Sequence, residues 1–321
     1  MDAMPQEGGG ELIMMFHFLA AARWIHFTAV FVLFGSSLFW FYMGCDRSSD
    51  GFVGCPKTFR ATVLLLRIAT LAAAVSGAVW LIGIIANMTG GFSNAADPET
   101  LRLFFFETGF GPVSILRLAL LGAAVVIAFL PWNNRAWLGA ILSISALLLM
   151  SQAWLGHAAE GGAGVYGAVM ICVYSVHVLA AGAWAGGLPP LLFALAEQRH
   201  AHQARQWTLE ILSRYSLMGM IAVTLIVISG AANAGFRVAG SFGKLFETNY
   251  GDVLATKIGI VAVMLTLAFF NRFVWMPELR AAAVNGLLQI HRLRRSVAFE
   301  LALGVLVLGV AAILGITPPP R

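Results

Sequence analysis

Charge is what this 321-residue chain has least of. Only 11% of its residues are Asp, Glu, Lys or Arg, whereas 60% are hydrophobic. A soluble globular domain carries about 25% charged residues, so an ordinary water-exposed surface is excluded. The mean hydropathy of +0.84 points the same way. There is no P-loop, no DKTG-type phosphorylation sequence and no Cys-x-x-Cys, which removes the signatures of an ATP-driven pump and of a dithiol redox centre. The opening MDAMPQEGGGEL lacks the basic n-region of a secretory signal, so the first apolar stretch is expected to be a retained helix.

What the chain does have is long apolar runs. Eight segments, at roughly 14–43, 61–88, 113–131, 136–157, 166–195, 215–235, 253–275 and 297–316, are each long enough to cross a bilayer as a helix. They consume most of the chain, so the predicted fold is all-α, a polytopic membrane helix bundle of eight transmembrane helices. Basic residues such as Arg60, Arg135, Arg205, Arg214, Arg292, Arg294 and Arg295 crowd the loops at 44–60, 132–135, 196–214 and 276–296. The opposite loops hold only Arg102, Arg237, Lys244 and Arg321. The positive-inside bias therefore places both termini on the periplasmic side. It also accounts for the net charge of +5 as topology, without a nucleic-acid partner.

The chain repeats itself at a period of about 150 residues. His26, Ala29 and Gly35 in the first span recur as His177, Ala180 and Gly186 in the fifth. Ser76-Gly77 recurs as Ser229-Gly230. In VSILRLALLGAAVVIAF, Arg117 lies twelve residues before Phe129, and in VLATKIGIVAVMLTLAF, Lys257 lies twelve before Phe269. Residues 1–165 and 166–321 are thus expected to be two parallel four-helix repeats within one integrated membrane domain. His26 and His177 become counterparts at one depth, about 17 Å below the outer end of their helices at 1.5 Å per residue.

An ionisable side chain near the bilayer midplane is expensive and points to function. Neutral imidazole suits copper, zinc and haem iron. The pair His26 and His177 is therefore the leading cofactor or metal site, with Met170 on the His177 face as a soft thioether. A second group gathers at the outer surface. MSQAWLGHAAEGG places Met150, Trp154 and His157 on one helical face with Glu160 just beyond, and IMMFH supplies Met14, Met15 and His17. Imidazole, thioether and carboxylate are ligand types that collect copper from an oxidising compartment. Two histidines at one depth equally describe bis-imidazole ligation of haem b, with Arg117 and Lys257 meeting its propionates; electrons would then reduce Cu(II) at the outer cluster. Arg67, Arg117 and Lys257 are otherwise read as snorkelling towards the nearer surface. Glu300, inside the last span, is read as pairing with Arg294 or serving an ion path. Cys172 is read as a small packing residue.

WLGHAAEG followed by HVLAAGAWAGGLPPLL resembles the central signature of the copper resistance protein D family (CopD/PcoD) of bacterial inner-membrane proteins. RYSLMGMIAVTLIVISGAANA, NYGDVLATKIGIVAVMLTLAFFNR and LRRSVAFELALGVLVLGVAAILGITPPP are similar to its C-terminal core. The resemblance implies copper transport or handling across the inner membrane, a periplasmic copper-binding partner resembling CopC, and roles for His157, His177 and His26. Orientation has a direct check in Cys45 and Cys55, which flank the first loop. With that loop cytoplasmic, both thiols are expected to be reduced in freshly isolated membranes; a disulfide between them would reverse the assigned topology.

Overall fold

The computed structural model describes residues 7–43, 47–48, 51–52, 56–131, 134–155, 161–162, 164–197, 201–238, 247–281 and 286–318. The chain runs through α1 (Glu7–Tyr42), a minimal antiparallel pairing of Arg47–Ser48 with Gly51–Phe52, α2 (Pro56–Thr89), α3 (Pro98–Glu107), α4 (Gly111–Phe129) and α5 (Arg135–Met150). It continues through α6 (Val165–Ala196), α7 (Ala201–Val238), α8 (Asn249–Phe270), α9 (Met276–Ala281) and α10 (Leu287–Leu314). Among the described residues eight helices are long and apolar enough to cross a membrane. Helices are the form such a chain must take, because lipid offers no partner to an unpaired backbone N–H or C=O.

The spans coincide with the eight apolar runs of the sequence, but the connections are more helical than expected. The 196–214 segment is helical from Ala201, and the 276–296 segment holds α9 and the start of α10. Good helix formers in AHQARQWTLEILSR extend α7 beyond its apolar part, and Arg214 pairs with Glu210 one turn away at 2.6 Å. Between α2 and α4, Asp97 caps α3 by accepting the Thr100 backbone N–H at 2.8 Å, with Pro98 in the first turn. That backbone hydrogen bond holds the exposed Asp97 carboxyl below its ordinary range.

α1 is the centre of the bundle, packing along α2, α5, α6 and α10. Its seam with α6 is set by prolines and glycines. Pro189 and Pro190 lie inside α6, and each lacks the N–H that would bond the carbonyl four residues earlier. The carbonyl that Pro190 leaves free is that of Gly186, and the fully buried Ser36 of α1 donates its hydroxyl to it at 2.9 Å. The backbones must come close for this. A Cβ on Gly35 would run into the Gly182 carbonyl and the Gly186 backbone, and one on Gly186 would run into the Phe31 carbonyl. Tyr215 of α7 then donates to the Trp184 carbonyl at 2.7 Å, tying α7 to the same stretch of α6.

The last half differs from the first in one respect. α2 packs along α4, whereas α7 and α8 scarcely touch among the described residues. α8 rests on α10 and ends in a π-helical turn, Asn271–Trp275. Pro277 explains the widening: it cannot donate to the Phe273 carbonyl, and the helix relaxes around the missing bond.

The seam generates a stability prediction. Ser36→Ala leaves a buried carbonyl without a donor and is expected to cost about 1–3 kcal/mol, read as a lower melting temperature in detergent. Gly35→Val is expected to do more, preventing close approach of α1 and α6 and yielding little monodisperse protein.

Candidate functional site

His26 is completely buried between α1, α2 and α4. Its Nδ1 lies 3.0 Å from the Ala73 carbonyl and its Nε2 lies 2.6 Å from Nη2 of Arg117. A carbonyl only accepts and a guanidinium only donates, so Nδ1 carries the hydrogen and Nε2 presents a lone pair. Trp80 lies beside the ring, with centroids 5.7 Å apart, and Gly77 lies so close under it that a Cβ there would push against the ring and Leu121.

Arg117 does not snorkel. It is 5% exposed, and its Nη1 donates to the Leu148 carbonyl at 2.9 Å and to Ser151 Oγ at 2.6 Å. Those acceptors form the C-terminal end of α5, where the helix dipole favours a cation. Arg67 makes a similar contact with the Ala128 carbonyl at the end of α4, at 3.0 Å. Arg23, one turn before His26, reaches the Gly315 carbonyl at the end of α10 at 3.1 Å and lies over the rings of Phe27 and Trp80. The partners of these three side chains are helix termini within the protein, which is why they stay inside.

His177 has a different setting. Its Nδ1 is 3.1 Å from Ser229 Oγ, and the Ser229 hydroxyl hydrogen is committed to the Leu225 carbonyl. The imidazole must therefore donate from Nδ1, leaving an Nε2 lone pair with no hydrogen-bond partner among the described residues. Gly230 lies under the ring as Gly77 lies under that of His26. Lys257 and Arg237 are within electrostatic range, and Arg237 also contacts the Tyr250 hydroxyl at 3.3 Å.

Both rings turn away from the α1–α6 seam, His26 towards α2 and α4 and His177 towards α7. No contact between the two imidazoles is among those described, so the structure does not bring the expected pair together. It does bring Arg117 to His26, and Lys257 near His177. Beside His26 lies a cavity of about 20 Å³, lined in part by Gly77, Trp80, Ser114, Arg117 and Leu155. That is room for one water, far less than a haem macrocycle needs.

The outer residues are dispersed. Met14 is 64% exposed, and the exposed His17 has only the Phe16 ring beside it among its described contacts, at 5.8 Å. Met15 packs on the cluster of Ile85, Ala86 and Phe104 as an ordinary core residue. Met150 ends α5, and a 3₁₀ turn follows over Ser151–Leu155. Its tighter winding takes Trp154 out of α-helical register with Met150. His157 and Glu160 lie outside the described residues, as do Cys45 and Cys55. Met170 is buried with its sulfur against Gly161, immediately after Glu160. Cys172 is exposed, facing outward where packing was expected. Among the described residues no group of three His, Cys, Asp or Glu is placed to hold a metal. Arg23 and Trp80 were missed in the sequence; the only signal was their helical spacing, Arg23 three residues from His26 and Trp80 three from Gly77.

Fold and site define a polytopic α-helical membrane protein with an imidazole inside the bundle in each half of the chain, the first bonded to Arg117 and the second to Ser229. Residues 14–168 match the family described as copper resistance protein D-like, N-terminal domain, and residues 209–314 match copper resistance protein D. The copper resistance protein D of Pseudomonas syringae pv. tomato is 31% identical over 93% of this chain and 96% of its own length. The inner membrane protein YebZ of Escherichia coli (strain K12) is 27% identical over 81% and 85% respectively. The copper transport protein CutJ of Bacillus subtilis (strain 168) is 29% identical over 94% of this chain and 53% of its own. No solved structure matches. The chain belongs to the copper resistance protein D family. His26 and Arg117 fall inside the first match and Ser229 and Lys257 inside the second, whereas His177 lies between them.

Removing Arg117 tests whether it organises this half. Arg117→Met deletes its bonds to His26, Leu148 and Ser151 and is expected to lower stability by about 3 kcal/mol or more, since each hydrogen bond from a charged group contributes about 1.5–3 kcal/mol. Arg67→Met, losing its bond to one carbonyl, is expected to shift the melting temperature less in the same assay.

Proposed function

We propose that this chain carries copper across the bacterial inner membrane, with His177 as the intramembrane ligand. The observation that carries the reading is the hydrogen-bond arithmetic at His177: Ser229 and Leu225 fix the hydrogen on Nδ1, so Nε2 presents a lone pair with no hydrogen-bond partner among the described residues. Copper is the substrate on this reading, which the family description and the names of two of the relatives above support. Nearby Lys257 and Arg237 weaken cation binding at that nitrogen, which suits a site of transit, where an ion must leave as readily as it enters.

Copper is collected at the outer face by His17, Met14, Met15, Met150, His157 and Glu160, delivered by a periplasmic copper-binding protein resembling CopC, and handed past Met170 to His177. His26 is the counterpart in the first half. Its Nε2 is closed by Arg117, and it becomes a ligand only when that guanidinium turns wholly to Leu148 and Ser151, which it already holds. The two halves, 1–165 and 166–321, are parallel repeats with both termini periplasmic. Three contacts support this. Gly35 and Gly186, equivalent at a spacing of 151 residues, press on each other at the seam. Ser76-Gly77 and Ser229-Gly230 each put a glycine under the equivalent imidazole. The cations Arg117 and Lys257 occupy matching places in the third helix of each half.

Copper accumulation in cells expressing His177→Ala is expected to fall at least tenfold relative to wild type at equal membrane abundance, with His26→Ala less affected. Unchanged accumulation in His177→Ala would remove the copper reading of that residue. An absorbance spectrum of the purified protein belongs with this assay: a Soret band would assign the imidazoles to haem b instead.

A further inference from the structure

A cavity of about 240 Å³ lies in the second half, lined along α7 from Leu212 to Val223. Its wall is apolar, formed by residues such as Trp184, Leu191, Val223, Leu265 and Phe269, and it ends on Asn271, Arg272 and Glu300. α7 and α8 scarcely meet, and the cavity fills the space between them.

Glu300 is 2% exposed and accepts a hydrogen bond from Nδ2 of Asn271 on its Oε1. The expected partner, Arg294, is exposed elsewhere on α10, and no salt bridge to Glu300 is found among the described residues. The charged and titratable groups facing it are few. From α7 comes Tyr215, whose hydroxyl is committed to the Trp184 carbonyl. From the π-helical turn comes Arg272, whose Nη1 donates to Ser216 Oγ at 2.6 Å. α6 contributes only Trp184 and aliphatic side chains to this wall.

Two buried polar atoms beside the carboxyl are left over. Oδ1 of Asn271 has no hydrogen-bond partner, and neither does Oγ of Ser296, one turn before Glu300 on the same face of α10. A buried acceptor without a donor costs about 1–3 kcal/mol and calls for an explanation. Asn271 already gives one amide hydrogen to Oε1. A hydrogen on Oε2 of Glu300 would supply the missing donor and close an eight-membered ring, with N–H bonding Oε1 and O–H bonding Oδ1. A charged carboxylate cannot do this, because it has no hydrogen to give.

We infer that Glu300 and Asn271 form an acid–amide pair that stores a proton inside the membrane and exchanges it with water in the adjoining cavity. In the loaded form the Oε2–H bond is intact and both ring hydrogen bonds are made. Unloading breaks the O–H bond, the proton passes to a water in the cavity, and the carboxylate left behind is met by Arg272, already at the cavity wall. The widened turn at Asn271–Trp275 gives these two side chains the freedom for that exchange, as π-helical turns often do at working sites. Intramembrane carboxyls of this kind are proton carriers in pumps and transporters. Resting on the copper reading above, this makes the second half the place where copper movement is coupled to a proton.

Infrared difference spectroscopy of the full-length protein in lipid tests the pair without reference to copper. The wild type at neutral pH is expected to show a carboxylic-acid C=O band that is absent in Glu300→Gln and shifted in Asn271→Leu, where the ring is broken. Glu300→Gln rebuilds the ring as an amide–amide pair, so it should melt close to wild type, whereas Glu300→Ala should melt lower. Absence of the band, or a Glu300→Gln protein as destabilised as Glu300→Ala, would overturn the inference by making Glu300 a carboxylate. Copper accumulation measured at two external pH values adds the coupling: its pH dependence should be lost in Glu300→Gln. A present band with unchanged pH dependence would keep the stored proton and remove its coupling to copper.

Discussion

The arrangement turns on one hydrogen bond between α1 and α6, from Ser36 to the carbonyl of Gly186. Pro190 frees that carbonyl, and Gly35, Gly182 and Gly186 let the backbones approach closely enough for a short hydroxyl to reach it. Between membrane helices there is little hydrophobic drive, because lipid is as apolar as a side chain; close packing and polar contacts decide which helices adhere. The seam therefore does more than join two halves. It fixes how α1 and α6 lie against each other, and with that the placement of the two imidazoles they carry and the direction in which each points, away from the seam.

Arginines that reach helix ends are the second organising feature; Arg23 and Arg117 are buried and Arg67 and Arg214 partly so, and all four follow one rule. Arg23 meets the end of α10, Arg67 the end of α4, Arg117 the end of α5, and Arg214 the carbonyls of Tyr42 and Met43 at the end of α1. Each helix end offers carbonyls that no intrahelical N–H satisfies and the negative pole of its dipole. A guanidinium, always charged and rich in donors, answers both at once. For Arg23 and Arg117 these carbonyls stand where a carboxylate would otherwise be needed among the described residues, which explains how a chain with so few carboxylates holds these two cations inside; Arg214, nearer the surface, also pairs with Glu210. Arg117 goes one step further: with Nη1 spent on α5, Nη2 remains for His26, so the first imidazole is closed by a residue whose first duty is structural.

The eight spans and the two histidines were legible in sequence because hydropathy and a repeat of about 150 residues record them directly. Ser76-Gly77 and Ser229-Gly230 were legible as repeated letters, but not as platforms under imidazole rings, since only packing reveals what a glycine makes room for. Arg117 was visible and misread. Snorkelling is the ordinary expectation for an arginine six residues from a helix start, and nothing in its own helix announces that the end of α5 lies alongside. The register expected between Met150 and Trp154 is altered for a local reason: the helix tightens to 3₁₀ at Ser151, where the Ser151 hydroxyl also serves Arg117. Glu300 was noticed, but its partner was sought along α10, when the described one is Asn271, bonded to it from the π-helical turn that follows α8.

The halves resemble each other in their imidazoles and differ in what surrounds them. In the first, α2 packs along α4, the cavity beside His26 is water-sized, and Arg117 fills the Nε2 lone pair. In the second, α7 and α8 stand apart, His177 keeps its lone pair, and the gap leads to Glu300. On the proposed function, the first half keeps the bundle together and the second does the work. On that reading the cost of burying His26 and Arg117 is met by structure, through bonds to α2 and α5. The equivalent cost at His177 is met through Ser229, with no partner for Nε2 among the described residues.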